Sequence, residues 1–172
     1  MKNKIFTISI NDIHFFLSFI LFTTLLSCNN DSYKELSGNY FYKDEGEICK
    51  QIISHLPNKK EIYSTVTSYD YNSDFIIARQ LPNYDDYKTM IAFELRSDLK
   101  KYPTNSINDF LKSEKLADSI LKNNNFYNSI FINPENYWII EIKKNKLHGP
   151  LTKSEFINAS LKLKISSKLK LN

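Results

Sequence analysis

The chain has 172 residues, a formal net charge of +4 and 24 % charged side chains. So mild a charge gives no case for nucleic-acid binding. Aromatic residues make up 14 % of the chain, which argues for a packed core and against a disordered polymer. Lys2 and Lys4 open the N-terminus, an apolar run extends from Ile13 to Leu26, and the small residue Ser27 precedes Cys28. This three-part pattern reads as a secretory signal peptide. The run falls short of the roughly 20 residues that a spanning helix needs. Phe15, Phe16, Phe19 and Phe22 leave it no polar face as an ordinary surface helix.

Leu25-Leu26-Ser27-Cys28 resembles a lipobox, the processing site of bacterial lipoproteins. The resemblance implies cleavage before Cys28 and diacylation of its sulfur, with the lipid bilayer as partner. Each buried methylene contributes about 0.8 kcal/mol, so two or three chains hold a protein where one does so marginally. Asn29 leans towards the outer membrane in a diderm cell, on the periplasmic side. The expected organisation is a signal peptide over 1–27, a lipidated polar tether over 28–37 and a single domain over 38–172. Losing Lys2, Lys4 and Asp12 from 23 basic and 19 acidic side chains leaves 21 against 18 in a mature chain of 145 residues, a size that suits one domain. Cys49 then has no intramolecular partner, and is either a buried small hydrophobe or a free thiol.

The middle of the chain reads as strands. Asn39 to Lys43 alternates aromatic residues and ends at Asp44-Glu45-Gly46. Ile48 to Leu56 fits a helix by its isoleucine spacing and a strand by its flanks. Glu61 to Asp70 and Asp74 to Gln80 are β-rich runs around Tyr71-Asn72-Ser73, the pattern of a hairpin. Leu81 to Asp86 reads as a loop, since Pro82 excludes a central strand, and Tyr87 to Leu95 as a further strand.

Ser106 can cap a helix running to about Lys122, with an apolar stripe of Ile107, Phe110, Leu111, Ala117, Ile120 and Leu121. Glu114 falls inside that stripe. It is either a carboxylate on a buried face or a residue where the helix breaks or the stripe ends. Asn123-Asn124-Asn125 reads as a loop. Tyr137 to Ile142 is a strand, Lys143 to Lys146 a polar turn, and Leu147-His148-Gly149-Pro150 returns with Pro150 ending the strand. Thr152-Lys153-Ser154-Glu155 is a capping box ahead of a helix of about ten residues. Lys162 to Asn172 alternates Lys with Leu or Ile, which suits an edge strand guarded by lysines or a basic strip near headgroups. The expected fold is α+β: an antiparallel sheet of about five to seven strands with two helices in the C-terminal half. A helix-poor β-sandwich is the alternative.

Tyr-Trp-Ile-Ile at 137–140, His-Gly-Pro-Leu at 148–151 and Ser-Glu-Phe at 154–156 resemble a pattern in small uncharacterised bacterial lipoproteins carrying a domain of unknown function. Ser68 to Tyr71 with Phe75 to Gln80 is similar to a hairpin of that group. The resemblance carries no assigned activity.

Catalytic signatures are sparse. The chain has no Gly-x-Ser-x-Gly, no His-Glu-x-x-His and no phosphate-binding glycine loop. Cys49 with His55 or His148 is the one nucleophile-and-base combination the residues offer. Asp85-Asp86 and Asp44-Glu45-Glu47 suit surface turns better than a calcium shell. No metal site and no cofactor is expected. Candidate binding residues are Tyr137, Trp138 and His148, with Trp138 either a core residue or an interface anchor. Two functions follow as expectations. The first is a non-enzymatic binding lipoprotein of the cell envelope, facing an envelope protein or a toxin. The second is a cell-wall hydrolase or glycan-binding factor using Glu114, His148 or an aspartate loop.

Overall fold

A computed structural model describes residues 32–46, 49–104 and 106–171. The expected signal peptide and lipobox, with Cys28, lie outside the described residues. Among the described residues, seven strands and four helices follow in chain order: β1 (Ser32–Glu35), β2 (Tyr40–Asp44), β3 (Lys50–Ser54), β4 (Val66–Tyr71), β5 (Phe75–Gln80), α1 (Tyr84–Arg96), α2 (Ile107–Asn123), α3 (Asn125–Ile130), β6 (Asn136–Glu141), β7 (Lys146–Leu151) and α4 (Lys153–Lys162). The strands form two antiparallel sheets, β1-β2-β3 and β4-β5-β6-β7. The fold is α+β.

Both hairpins of the second sheet follow from their residues. Asn72 Oδ1 accepts the Asp74 and Phe75 amides, each at 2.9 Å, and this closes the turn between β4 and β5. All six residues of β6 are buried. Successive strand residues point to opposite faces, so β6 needs cover on both sides. On one side Trp138 and Ile140 join Ile76, Ala78, Tyr40, Ile52, Ile91, Ala117 and Leu121 in the main core. On the other, Tyr137 stacks on Phe156 of α4 with ring centroids 5.3 Å apart. Ile165 and Leu169, beyond α4, line a small cavity with Ile77.

The junction of the layers is polar. Gln80 is fully buried; its Nε2 donates to the Ser64 carbonyl at 2.9 Å and to the Tyr87 hydroxyl at 2.6 Å. Its Oε1 accepts from Trp138 Nε1 at 2.8 Å and from Asn136 Nδ2 at 3.4 Å. Ser64 Oγ in turn donates to Asp86 at 2.6 Å. One amide thus ties β5, β6, α1 and the segment before β4. Gly149 has φ +138°, and a Cβ there would overlap the Trp138 ring. Only glycine lets β7 pass so close.

Four local expectations are corrected. Tyr87 to Leu95 is helical, because Asn83 Oδ1 accepts the Asp85 and Asp86 amides at 3.0 and 3.3 Å and starts α1 inside the expected loop. Tyr87 and Ile91, four residues apart, then both face the core. Asn123 to Asn125 is no loop: Asn124 alone is extended, closing α2 and capping α3 through its side chain. Pro150 does not end β7. The strand runs to Leu151 with a register shift opposite Tyr137 and Ile139, and an edge strand tolerates proline at such a bulge. The described part of Lys162–Asn172 forms no strand. Lys164 has φ +57° and Ser166 Oγ accepts the Lys168 amide at 3.3 Å, which breaks the alternation. The span expected to be tether also carries β1, paired with β2 from Ser32↔Asp44 to Glu35↔Phe41.

Truncating Gln80 leaves the buried Trp138 indole N–H without an acceptor and the Ser64 carbonyl and Tyr87 hydroxyl without its amide donor, while Asn136 Nδ2 keeps the Ile130 carbonyl at 2.7 Å, at about 1–3 kcal/mol for a buried group left unpaired. Gln80→Ala is therefore expected to cost roughly 3 kcal/mol or more and to lower Tm by roughly 10 °C. Urea unfolding of both proteins measures this, and a loss near zero contradicts the role of Gln80.

Candidate functional site

A cavity of about 460 Å³ opens between the segment before β4, helix α3 and the β6–β7 turn. That volume lies in the range of ligand pockets, roughly 300–1,000 Å³. Lys59, Lys60, Glu61 and Tyr63 form one wall, Asn145, Lys146 and Leu147 the other, and Phe126 and Tyr127 close the end.

Each wall is held by local bonding. Ile62 exchanges backbone hydrogen bonds with Ile52, both at 2.9 Å, and so fixes the segment against β3. Glu61 Oε1 accepts the Ser54 amide at 2.8 Å. Asn145 has φ +49° at the tip of the turn, and its Nδ2 donates to the Asn58 carbonyl at 2.9 Å, joining the two walls at one end. Tyr127 meets Tyr87 edge to face at 6.3 Å, and Phe126 meets Trp138 at 6.3 Å. The aromatic end is thus built on the core, yet Phe126 keeps 46 % of its surface exposed.

A second cavity of about 310 Å³ adjoins the first across Tyr127, lined by Ile91, Glu94, Leu95, Asp98, Lys101 and Ile120. The Tyr63 hydroxyl stands at the border and donates to Glu94 Oε1 at 2.9 Å. Burial first, then the charges of Glu94 and Glu61, push the Tyr63 hydroxyl well above the ordinary tyrosine range. Burial and Glu94 push Tyr127 the same way. Both phenols therefore stay protonated at neutral pH and act as donors. Lys59, Lys60 and Lys146 outnumber Glu61 in the first cavity, and Glu94 and Asp98 outnumber Lys101 in the second, so the two carry net charge of opposite sign.

The residues expected from the sequence do not gather here. Trp138 is 1 % exposed and serves the core. Tyr137 is buried on the opposite face of the sheet, its hydroxyl donating to Glu135 at 2.7 Å. His148 Nε2 sits 2.7 Å from Glu141 Oε1, and Lys144 Nζ 2.7 Å from Glu141 Oε2. Glu114 is half-buried within an unbroken α2, 4.0 Å from Lys88. The Ser113 hydroxyl takes the buried place beside it and accepts from Arg96 at 3.0 Å. Ile107 and Leu111, expected in the stripe, are exposed. Cys49 Sγ lies 4.0 Å from Met90 Sδ, and burial raises its pKa, which disfavours the thiolate. His55 packs on the Phe41 ring at 4.7 Å. The groove itself escaped the sequence reading because its walls are some 60 to 90 residues apart. Only Lys59-Lys60 beside the aromatic Tyr63 hinted at it.

Residues 109–172 match the model of a family described as "Protein of unknown function (DUF3997)". The match covers the Tyr137–Phe156 region of the resemblance and the Phe126, Tyr127 and Asn145–Leu147 side of the groove. It does not cover Lys59–Tyr63. No curated protein and no solved structure matches the chain.

Lys144 and His148 hold the Glu141 carboxyl below its ordinary value of 4.5. A depressed folded-state pKa contributes stability that is full above the unfolded value and is lost as pH falls through the folded one. Glu141→Gln is therefore expected to be less stable than wild type at neutral pH, with the gap closing below about pH 4.5. Urea unfolding from pH 7 to pH 3 measures it, and a gap that does not change with pH contradicts the ion-paired role.

Proposed function

We propose that this chain is a bacterial lipoprotein, anchored to the cell envelope through acylated Cys28, whose domain is a binding module rather than an enzyme. The observation that carries the binding role is the groove between Lys60 and Tyr127, with exposed ring faces, protonated phenols, ammonium groups and the Asn145 amide on one concave surface. Aromatic rings held rigidly on a core make interface anchors, and the opposite net charges of the two cavities orient what enters. A ligand that is itself a folded protein, an envelope component or a toxin, suits a surface of this kind. The lipobox supports the anchor.

The second reading, a cell-wall hydrolase or glycan-binding factor, moves away from Glu114 and His148 to this groove. Glu61 and Glu94 both act on the Tyr63 hydroxyl, and glycoside hydrolysis needs two carboxylates close together. Release of soluble fragments from purified cell wall by wild type, abolished in Glu61→Gln and Glu94→Gln, would establish that reading in place of the first.

The test is capture in living cells. Full-length protein with a photoreactive amino acid at Phe126 is expected to crosslink one dominant protein. Lys60→Glu with Tyr127→Ala should reduce that product by about tenfold or more, the scale of a lost hot spot. No discrete product, or one indifferent to the double substitution, contradicts the binding role of the groove. Mass spectrometry of the same preparation should place a diacylglyceryl group on Cys28, and an unmodified Cys28 contradicts the anchor.

A further inference from the structure

We propose that the edge formed by β1 and β4 rests on an anionic phospholipid surface, so that the domain lies against the membrane and is not held clear of it. This inference rests on the lipid anchor at Cys28.

The first argument is length. β1 begins at Ser32, so Asn29, Asn30 and Asp31 alone separate it from Cys28. A fully extended chain spans at most about 3.6 Å per residue, so the Cα of Ser32 lies within about 14 Å of that of Cys28. The headgroup layer is itself roughly 5–8 Å deep. A strand tethered this closely is kept beside that layer.

The second argument is what surrounds the strand. Tyr33 is 52 % exposed. Lys34 Nζ lies 5.3 Å from the ring centroid of Tyr69 and 5.8 Å from that of Tyr71, so the Lys34 side chain reaches from β1 to the rings of β4, an edge strand of the second sheet. On the other side of that edge, Asp70 Oδ2 accepts the Lys170 amide at 2.9 Å and draws in the segment carrying Lys164, Lys168 and Lys170. The acidic groups nearby are largely engaged: Glu45 lies 2.7 Å from Lys43, Asp44 3.3 Å from Lys50, and Asp70 takes two backbone amides. Among the described residues, Lys34 and Lys170 pair with no carboxylate. Glu35 is the exposed exception. Tyrosine rings with lysines reaching past them are the side chains that membrane interfaces favour, and each lysine near an anionic surface contributes about 1 kcal/mol.

The experiment uses full-length acylated protein carrying Tyr33→Trp, in vesicles of equal parts phosphatidylcholine and phosphatidylglycerol doped with a phospholipid bearing a headgroup nitroxide. Wild type supplies the control, since its one tryptophan, Trp138, is buried. Strong quenching of the Tyr33→Trp signal, with Trp138 unaffected, is expected. Replacing Lys34 and Lys170 by Gln, or using phosphatidylcholine alone, should weaken the quenching about twofold or more, as expected for an electrostatic contact. Absent quenching overturns the proposal, as does quenching equal in both lipids and both proteins, which would reflect the short linkage alone. The mass of Cys28 is read in the same sample. A missing acyl group there would refute the anchor and so be told apart from failure of the membrane-facing edge.

Discussion

The structure depends on one requirement: strand β6 must be covered on both faces. Every residue from Asn136 to Ile142 is buried, so a single sheet with one solvated side cannot accommodate it. The inner face is met by α1, α2 and the three-stranded sheet. The outer face is met by α4 and the segment after it. Gln80 makes this arrangement specific. Fully satisfied, a buried amide fixes how layers meet; partly satisfied, it is costly. Gln80 reaches an indole and an amide of β6, a phenol of α1 and a backbone carbonyl before β4, so the layers have one register.

The groove is a by-product of that packing. The segment before β4 gives up the Ser64 carbonyl to Gln80 and pairs Ile62 with Ile52. Its side chains at 59, 60, 61 and 63 therefore line the groove on a backbone pinned at Ile62 and Ser64. Short α3 exists because Asn124 ends one helix and starts the next, and it delivers Phe126 and Tyr127 to the same place. The β6–β7 turn supplies the rest through Asn145. Rigid support of this kind lets a surface groove bind without first paying to order itself.

Local chemistry was legible in the sequence. The Asn72 turn, the Ser106 cap and the Thr152–Glu155 capping box are each settled within four residues, and the structure shows Glu155 Oε2 accepting the Thr152 amide at 2.8 Å. Trp138, which the sequence leaves open between core residue and interface anchor, lies in the core because β6 is covered on both faces. Helix α1 was misread because a β-tolerant apolar run outweighed a single Asn83 cap. Strand β1 was missed because four exposed polar residues carry no pattern of their own; only pairing with β2 makes them a strand. Beyond Lys59-Lys60 near Tyr63 the groove left no trace in the sequence, since Lys60, Phe126 and Lys146 become neighbours only once the chain is folded. Tyr137, Trp138 and His148 drew notice by type, yet two are buried and the third is bound to Glu141.

The central claim is that the Lys60–Tyr127 groove is the surface this protein uses. Hydrogen–deuterium exchange of the full-length protein in native envelopes, compared with the same protein purified in detergent, tests it most directly. Slower exchange in the envelope confined to residues 59–63, 126–127 and 145–147, beyond any change near β1, is the predicted result. Unchanged exchange in those three segments, with protection arising elsewhere on the domain, would contradict it.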